Sequence, residues 1–453
     1  MSTLSRRKFL KLGLAGAGTL AVFRPSSLPA APRINTSSQA HFYLQLIVQG
    51  GWDTSYLFDA RPLAMTKAGK IQNYLGEEPS SWVGTNGGSL LTTSVASALM
   101  PFRNDFSVVN GVVMTPTFIG HDQNMNQLFT GNEFGGNSFV PYLNNADTGS
   151  TPTSLDAITS GFLFAHLENQ ESSVPLDPKS GSKLRSLFSA LPQATPENEL
   201  TNFIRARYQA NSSGRGRFAQ GTTLMRHGLE HTPTLQKVLS EIRPTDSATS
   251  PDMQFCALFS DCFRLGIARS AVWVLTAQAQ NIDAHGSNQA KQQPQVLKEL
   301  VNRIALIFKF LRETAYDSQR SLFDVTTVMV TSEFARTMRS PGVPIDNTGT
   351  DHNNLNNTVL IGGKGIRGGQ IIGASDFQSA DEKLSPAHFE IDQYALKIMG
   401  RPFDFATASP RIDTPEKFQI ADYLTIGSVV NTIYKNFGCP ETSTPTRKFL
   451  AVF

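Results

Sequence analysis

Cysteine is scarce in this chain: Cys256, Cys262 and Cys439 are the only three in 453 residues. That is too few for a disulfide framework or for a cysteine-rich cluster site. Cys256 and Cys262 stand six apart on an expected helix, on different faces and nearly two turns apart, too far to bridge. Core cysteines are the simpler reading, with a bridge from one of them to Cys439 as the alternative. A dinucleotide-binding glycine fingerprint is also missing, which argues against a redox enzyme. The glycine-rich run Gly362–Gly369 (GGKGIRGG) lacks the G-x-x-x-x-G-K-[ST] spacing of a phosphate loop and reads as a hairpin turn after a strand. There are no internal repeats. Beyond the N-terminus no run of about 20 apolar residues occurs, so no membrane span is expected in the mature chain.

The first 31 residues read as a twin-arginine export signal. Ser5-Arg6-Arg7-Lys8-Phe9-Leu10-Lys11 precedes a mild Gly/Ala-rich apolar run, and the Leu28-Pro29-Ala30-Ala31 region offers small residues for cleavage. This leader holds Arg6, Arg7, Lys8, Lys11 and Arg24 and no acid, so removing its five cations takes the formal charge from +3 to −2. The basic balance belongs to the leader and does not point to nucleic acid. A periplasmic or extracellular location follows, with the twin-arginine translocase as partner during export.

The remaining residues, 32–453, suit one large α/β domain with insertions or two domains. Strands are expected at Phe42–Val48, Phe106–Met114, Ser270–Ala277, Val325–Val330 and Thr358–Ile361, each a run of apolar or β-branched residues. Phe255, Leu258, Phe259, Cys262 and Phe263 repeat at helical spacing. Leu297, Leu300, Val301, Ile304, Ile307, Phe308 and Leu311 do so after Pro294. Ile426, Val429, Val430, Ile433 and Phe437 give a last helix, stopped by Gly438. Residues 180–242 read as a polar helical insertion, broken near 211–221, where His227 and His231 share a solvated helix face. The run from strand 270–277 through a helix to strand 325–330 is a βαβ unit, so both strands should be parallel and end on one edge.

Chemistry-bearing residues gather after these strands. Asp53 follows the Gly50-Gly51 turn and reads as a metal ligand or as an Asx-type turn residue. Thr115, Thr117, His121 and Asp122 precede a helix start, a place for a nucleophile or an anion; alternatively Asp122 caps the helix and His121 packs. Asp283 and His285, Glu333, then Asp351 and His352 complete the set. Carboxylates mixed with imidazoles suit zinc or manganese, and with more water magnesium or calcium.

Five segments occur in order behind the leader: GGWD (Gly50–Asp53), DAHGSNQ (Asp283–Gln289), TSEFART (Thr331–Thr337), TDHNN (Thr350–Asn354) and GGKGIRGGQIIG (Gly362–Gly373). In this the chain resembles a bacterial exported family known as a domain of unknown function, number fifteen-zero-one, placed among alkaline-phosphatase-like and sulfatase-like folds. The resemblance covers nearly the whole mature chain. It implies a three-layer α/β/α fold with a mostly parallel central sheet, and a site with one or two divalent metals for phosphate or sulfate esters.

By that resemblance Asp53 matches the first-strand metal aspartate, Asp283 and His285 the Asp/His pair, Glu333 the place of a second pair, and His352 with Asp351 the last histidine ligand. Phe334 stands where a histidine ligand is usual, and Gly120 where relatives tend to have serine. The implied activity is a metal-dependent ester hydrolase acting on a small anionic ester. Water or Thr117 would attack, His121 would serve as acid/base, and Arg336 or Arg339 would neutralise the leaving anion. The alternative is a non-catalytic exported binding or assembly protein that keeps the phosphatase-like fold and takes an exported protein partner.

Overall fold

The computed structural model describes residues 40–67, 73–117, 120–131, 138–143, 157–160, 173–175, 250–266, 268–277, 282–339, 349–378, 382–384, 395–411, 413 and 415–439. The leader, the insertion expected around 180–242 and its histidine pair, and the side chain of Arg339 lie outside the described residues.

Eight strands make one sheet: β1 (Phe42–Val48), β2 (Phe106–Asn110), β3 (Ala157–Ser160), β4 (Ser173–Pro175), β5 (Ser270–Leu275), β6 (Thr326–Ser332), β7 (Thr358–Gly363) and β8 (Ile371–Ile372). Their order is β8-β2-β7-β6-β1-β5-β3-β4. Neighbours run parallel except at β7, which is antiparallel to both β2 and β6. β5 and β6 are parallel, as the βαβ reading requires, and β1 sits between them in register with both.

All seven residues of β1 are buried because both faces of the sheet are covered. Side chains alternate along the strand. Phe42, Leu44, Leu46 and Val48 enter one core, Tyr43 and Ile47 the other. Four helices close the two faces: α1 (His121–Thr130), α2 (Pro251–Arg264), α3 (Ser287–Glu313) and α4 (Ile426–Asn436). The apolar stripes of α2 and α3 pack in the first core, and those of α1 and α4 in the second. The architecture is a three-layer α/β/α sandwich around a mixed, mostly parallel sheet. Cys256 and Cys262 are free and buried in the first core, and Cys439 is free and half-buried.

The structure corrects four details of the sequence reading. β2 ends at Asn110 instead of running to Met114, because Gly111 turns the chain at φ 72° where a Cβ would collide with the Ala374 carbonyl. α3 begins at Ser287, ahead of Pro294, which lies inside the helix. The N-cap of α1 is Gly120, so Asp122 is not its cap. The glycine-rich turn after β7 does not close a simple hairpin: β8 pairs with β2, which lies between the two arms.

The reversal of β7 is what places the site. β1, β5 and β6 finish at Val48, Leu275 and Ser332, and β7, running the other way, starts on that same edge at Thr358. A parallel strand would have required a crossover to the far edge. The loop with Asp351 and His352 therefore faces the loop with Asp283 and His285.

On the opposite edge His41 is 5% exposed and stacks on Phe437 with ring centroids 3.8 Å apart. Thr327 Oγ donates to Lys364 O at 2.9 Å and accepts from Asn436 Nδ2 at 2.9 Å. Its one proton is spent, so the 2.7 Å contact is His41 Nε2–H donating to Thr327. Burial, with Lys364 and Arg269 nearby, lowers the His41 pKa to about 3. Below about pH 6.5 the unfolded chain takes up a proton that the folded chain refuses. Stability from this residue is therefore complete above that pH and lost as pH falls toward 3, by on the order of a few kcal/mol at ~1.4 per unit. In urea unfolding, the stability difference between wild type and His41→Phe should shrink steadily from pH 7 to pH 4; a constant difference would contradict the assignment.

Candidate metal centre

The site is built on the turn after β1. Gly50 and Gly51 sit at φ 109° and 73°, and a Cβ on either would strike Ile282 or Phe334. Gly50 N–H donates to Glu333 Oε1 at 2.8 Å. The guanidinium of Arg336, 1% exposed, lies against the turn's carbonyls. Its Nε donates to Gly50 O and Gly51 O at 3.2 Å each, and its Nη2 donates to Gly50 O and to Asp283 Oδ1. Gln293 of α3 reaches the same turn from below, its Nε2 donating to Ile282 O at 3.2 Å and Gly51 O at 3.5 Å. Gly349 N–H donates to His285 O at 2.5 Å and Thr350 N–H to Ala284 O at 2.7 Å, which ties the two histidine loops together. A Cβ at Gly349 would collide with the Ala284 carbonyl.

Four side chains converge on this frame. His121, Asp283, His285 and His352 each offer one ligand atom, all within 4.8 Å of one another. His285 Nε2 lies 3.1 Å from His352 Nε2 and 3.1 Å from Asp283 Oδ1, and His121 Nε2 lies 3.6 Å from Asp283 Oδ2. Glu333, fully buried, meets His121 Nδ1 at 2.7 Å. A carboxylate there fixes the Nδ1–H tautomer and leaves Nε2 facing the cluster, the usual support of a metal-binding imidazole. Asp351 stands behind His285, 3.8 Å from its Nδ1. Phe334 is fully buried under the group, its ring centroid 4.2 Å from that of His352 and 4.8 Å from that of His121.

The charges sort themselves around this geometry. Burial alone would lower His121, but hydrogen bonds to Asp283 and Glu333 and their charges outweigh it and raise its pKa to about 9. Burial, then Arg336 and His121, lower His352 to about 4, so that ring is neutral. Burial would raise Asp283, yet the His121 hydrogen bond and Arg336 hold it well below the usual carboxylate range. Asp53 is pushed up to about 6 by its burial.

Residues 42–392 match the family described as Protein of unknown function (DUF1501). The chain belongs to that family. Three solved structures show weak likeness to it. One is the lipoteichoic acid synthase LtaP from Listeria monocytogenes, at 7% identity and TM-score 0.33 over 80% of this chain and 74% of that one. Another is a protein in the alkaline phosphatase superfamily from Vibrio parahaemolyticus, at 11% and 0.32 over 97% and 98%. The third is a TAB5 alkaline phosphatase variant with magnesium bound, at 11% and 0.27 over 72% and 92%. Scores this low carry no weight for the chemistry, which rests on the side chains. Comparison with curated proteins gives no match.

In this DUF1501 member the structure brings His121, Asp283, His285 and His352 together and sets the other candidates around them. Glu333 and Asp351 contact the imidazoles of His121 and His285 from outside the group of four. Asp53 caps the turn Thr54–Tyr56, its Oδ1 accepting from Ser55 N–H at 2.9 Å and Ser55 Oγ at 2.5 Å. Thr117 shares a 2.8 Å hydroxyl contact with Thr115. Sequence reasoning passed over Gln293 and the asparagines of NNLNN. Asn353, Asn354, Asn356 and Asn357 are all buried and hydrogen-bonded, to Ile398 O, Thr117 O, Asp59 Oδ2 and Ser332 O respectively. Four asparagines so close together in a loop were the available signal, since a solvated loop has no need of buried amides.

In the metal-free protein His121 is an imidazolium at neutral pH, and its contribution to stability is present below about pH 6.5 and lost as pH rises through about 9. NMR titration should place its midpoint near 9, and Glu333→Gln should bring it down. The same variant should weaken divalent-metal binding about 10- to 100-fold. A midpoint near 6.5 in wild type would refute the brace.

Proposed function

We propose that this chain is an exported, metal-dependent hydrolase of phosphate or sulfate esters. The observation that carries the proposal is the convergence of three imidazoles and one carboxylate at a partly exposed strand edge. The donor set fits a divalent ion. Asp283 is ionised, the His352 ring is neutral, and the Nε2 atom of His121 faces inward. Nitrogen-rich ligation of this kind suits zinc or manganese better than calcium or magnesium. When bound, such an ion supplies Lewis-acid polarisation of an ester oxygen and a water acidic enough to attack near neutral pH.

The chain's own groups do the rest. Glu333 takes the Nδ1–H of His121, and Phe334 closes the floor against water. α1 and α3 both begin beside the cluster, at His121 and Ser287, with glycine N-caps that offer no side chain to their first-turn N–H groups. Two helix N-termini directed at one edge favour a negatively charged ligand. Thr117 is engaged with Thr115, which favours water over Thr117 as nucleophile. His121, read from the sequence as an acid/base, is better used as a ligand whose proton leaves on metal binding. Export rests on the twin-arginine leader.

One observation favours a second reading, a non-catalytic exported binding protein with one bound metal. The Asp283 charge is already met by Arg336.

Chain exported by its host and purified without chelators should carry a divalent metal and hydrolyse aryl phosphates, phosphodiesters or aryl sulfates. Asp283→Ala and His352→Ala should lose metal and turnover together. Metal without turnover on any ester selects the binding protein, and a folded, metal-free wild type removes both readings. Replacing Arg6 and Arg7 by lysine should leave the chain in the cytoplasm.

A further inference from the structure

We infer that the guanidinium of Arg336 occupies the position of a second, oxygen-bound cation, so that the centre accepts one imidazole-bound metal ion and no calcium or magnesium beside it. The inference rests on the metal-centre reading above.

Three oxygens define that position: the carbonyls of Gly50 and Gly51 and Oδ1 of Asp283, all accepting from Arg336. Carboxylate and backbone carbonyl oxygens are the donors that hard cations require. Positive backbone φ at Gly50 and Gly51 turns these carbonyls toward Arg336 instead of into strand pairing. Arg336 cannot swing out to solvent. It is 1% exposed, packs with its Cζ 5.4 Å from the Phe334 ring centroid, and sits in a two-residue ladder opposite His352. Its charge is therefore a fixed part of the site.

Asp283 bridges the two halves. Oδ1 serves Arg336 and stands 3.1 Å from His285 Nε2, while Oδ2 faces His121. A zinc-like ion can draw on three imidazole nitrogens whatever the oxygens are doing. A calcium or magnesium ion at this position would need the three oxygens that Arg336, a fixed cation, already engages. Arg336 thus acts as a specificity-determining residue through Asp283 and the glycine turn, without needing contact with the ester.

The test is metal binding to stripped, folded protein, read by calorimetric stoichiometry and elemental analysis, independent of turnover. Wild type should take up one zinc per chain and no calcium or magnesium at about 1 mM. Arg336→Lys keeps the charge and should behave as wild type. Arg336→Gln removes the charge, and Arg336→Met also retains an apolar stem over Phe334; both should bind calcium or magnesium about tenfold more tightly or more, with zinc still bound. Two divalent ions on wild type would overturn the inference, and that result decides even where the neutral variants fail to fold. So would folded neutral variants that still exclude calcium and magnesium, or Arg336→Lys relaxing as far as Arg336→Gln. Wild type that binds no divalent ion overturns the metal-centre reading itself, a different and separable outcome.

Discussion

The buried charge of Arg336 is the interaction on which the site depends. A guanidinium inside a protein must have its charge met locally, and here the glycine turn and Asp283 take its Nε and Nη2 hydrogen bonds, while Nη1 is buried without a partner. The same contacts aim the carboxylate of Asp283 at the imidazoles. Removing one member of such a pair leaves an uncompensated charge, a loss on the order of 3–5 kcal/mol. The geometry of the turn, the direction of Asp283 and the burial of Phe334 are therefore one arrangement. A change at Gly50, Gly51 or Arg336 is felt by the others through contact.

Around that centre the asparagines of NNLNN hold the elements in position. Asn357 accepts from Trp52 Nε1 at 2.7 Å and donates to Ser332 O at 2.7 Å, joining the turn after β1 to the end of β6. Asn354 accepts from Asn124 of α1 at 3.0 Å, which fixes the helix that begins with His121. Asn356 donates to Asp59, itself paired with Arg61. These amides carry no chemistry of their own. Their burial is tolerable because each donates or accepts within the fold, and the result is a rigid strand edge under the histidines.

A histidine-rich centre at this edge sits between two helix N-termini and above an apolar floor. Under the function proposed above, that combination suits an anion on a divalent ion. The ring of Phe334 supplies that apolar floor, fully buried against the imidazoles of His352 and His121.

Several elements were readable from the sequence because their causes are local. β1, β5 and β6 are runs of mostly apolar or β-branched residues buried on both faces, and α2, α3 and α4 carry stripes at helical spacing. Asp283, His285, Asp351 and His352 could be picked out because they follow such runs into loops rich in glycine and asparagine. The direction of β7, the insertion of β2 between β7 and β8, and the roles within the polar set were not readable. They depend on partners far apart in sequence: His121 on Glu333, Gly349 on His285, Arg336 on Gly50. Residue type and spacing thus determined the layers and the list of polar candidates. Only the tertiary structure decided which imidazoles meet, which carboxylates stand behind them, and that Arg336 faces inward, because those outcomes are set by long-range packing and the need to satisfy buried charge.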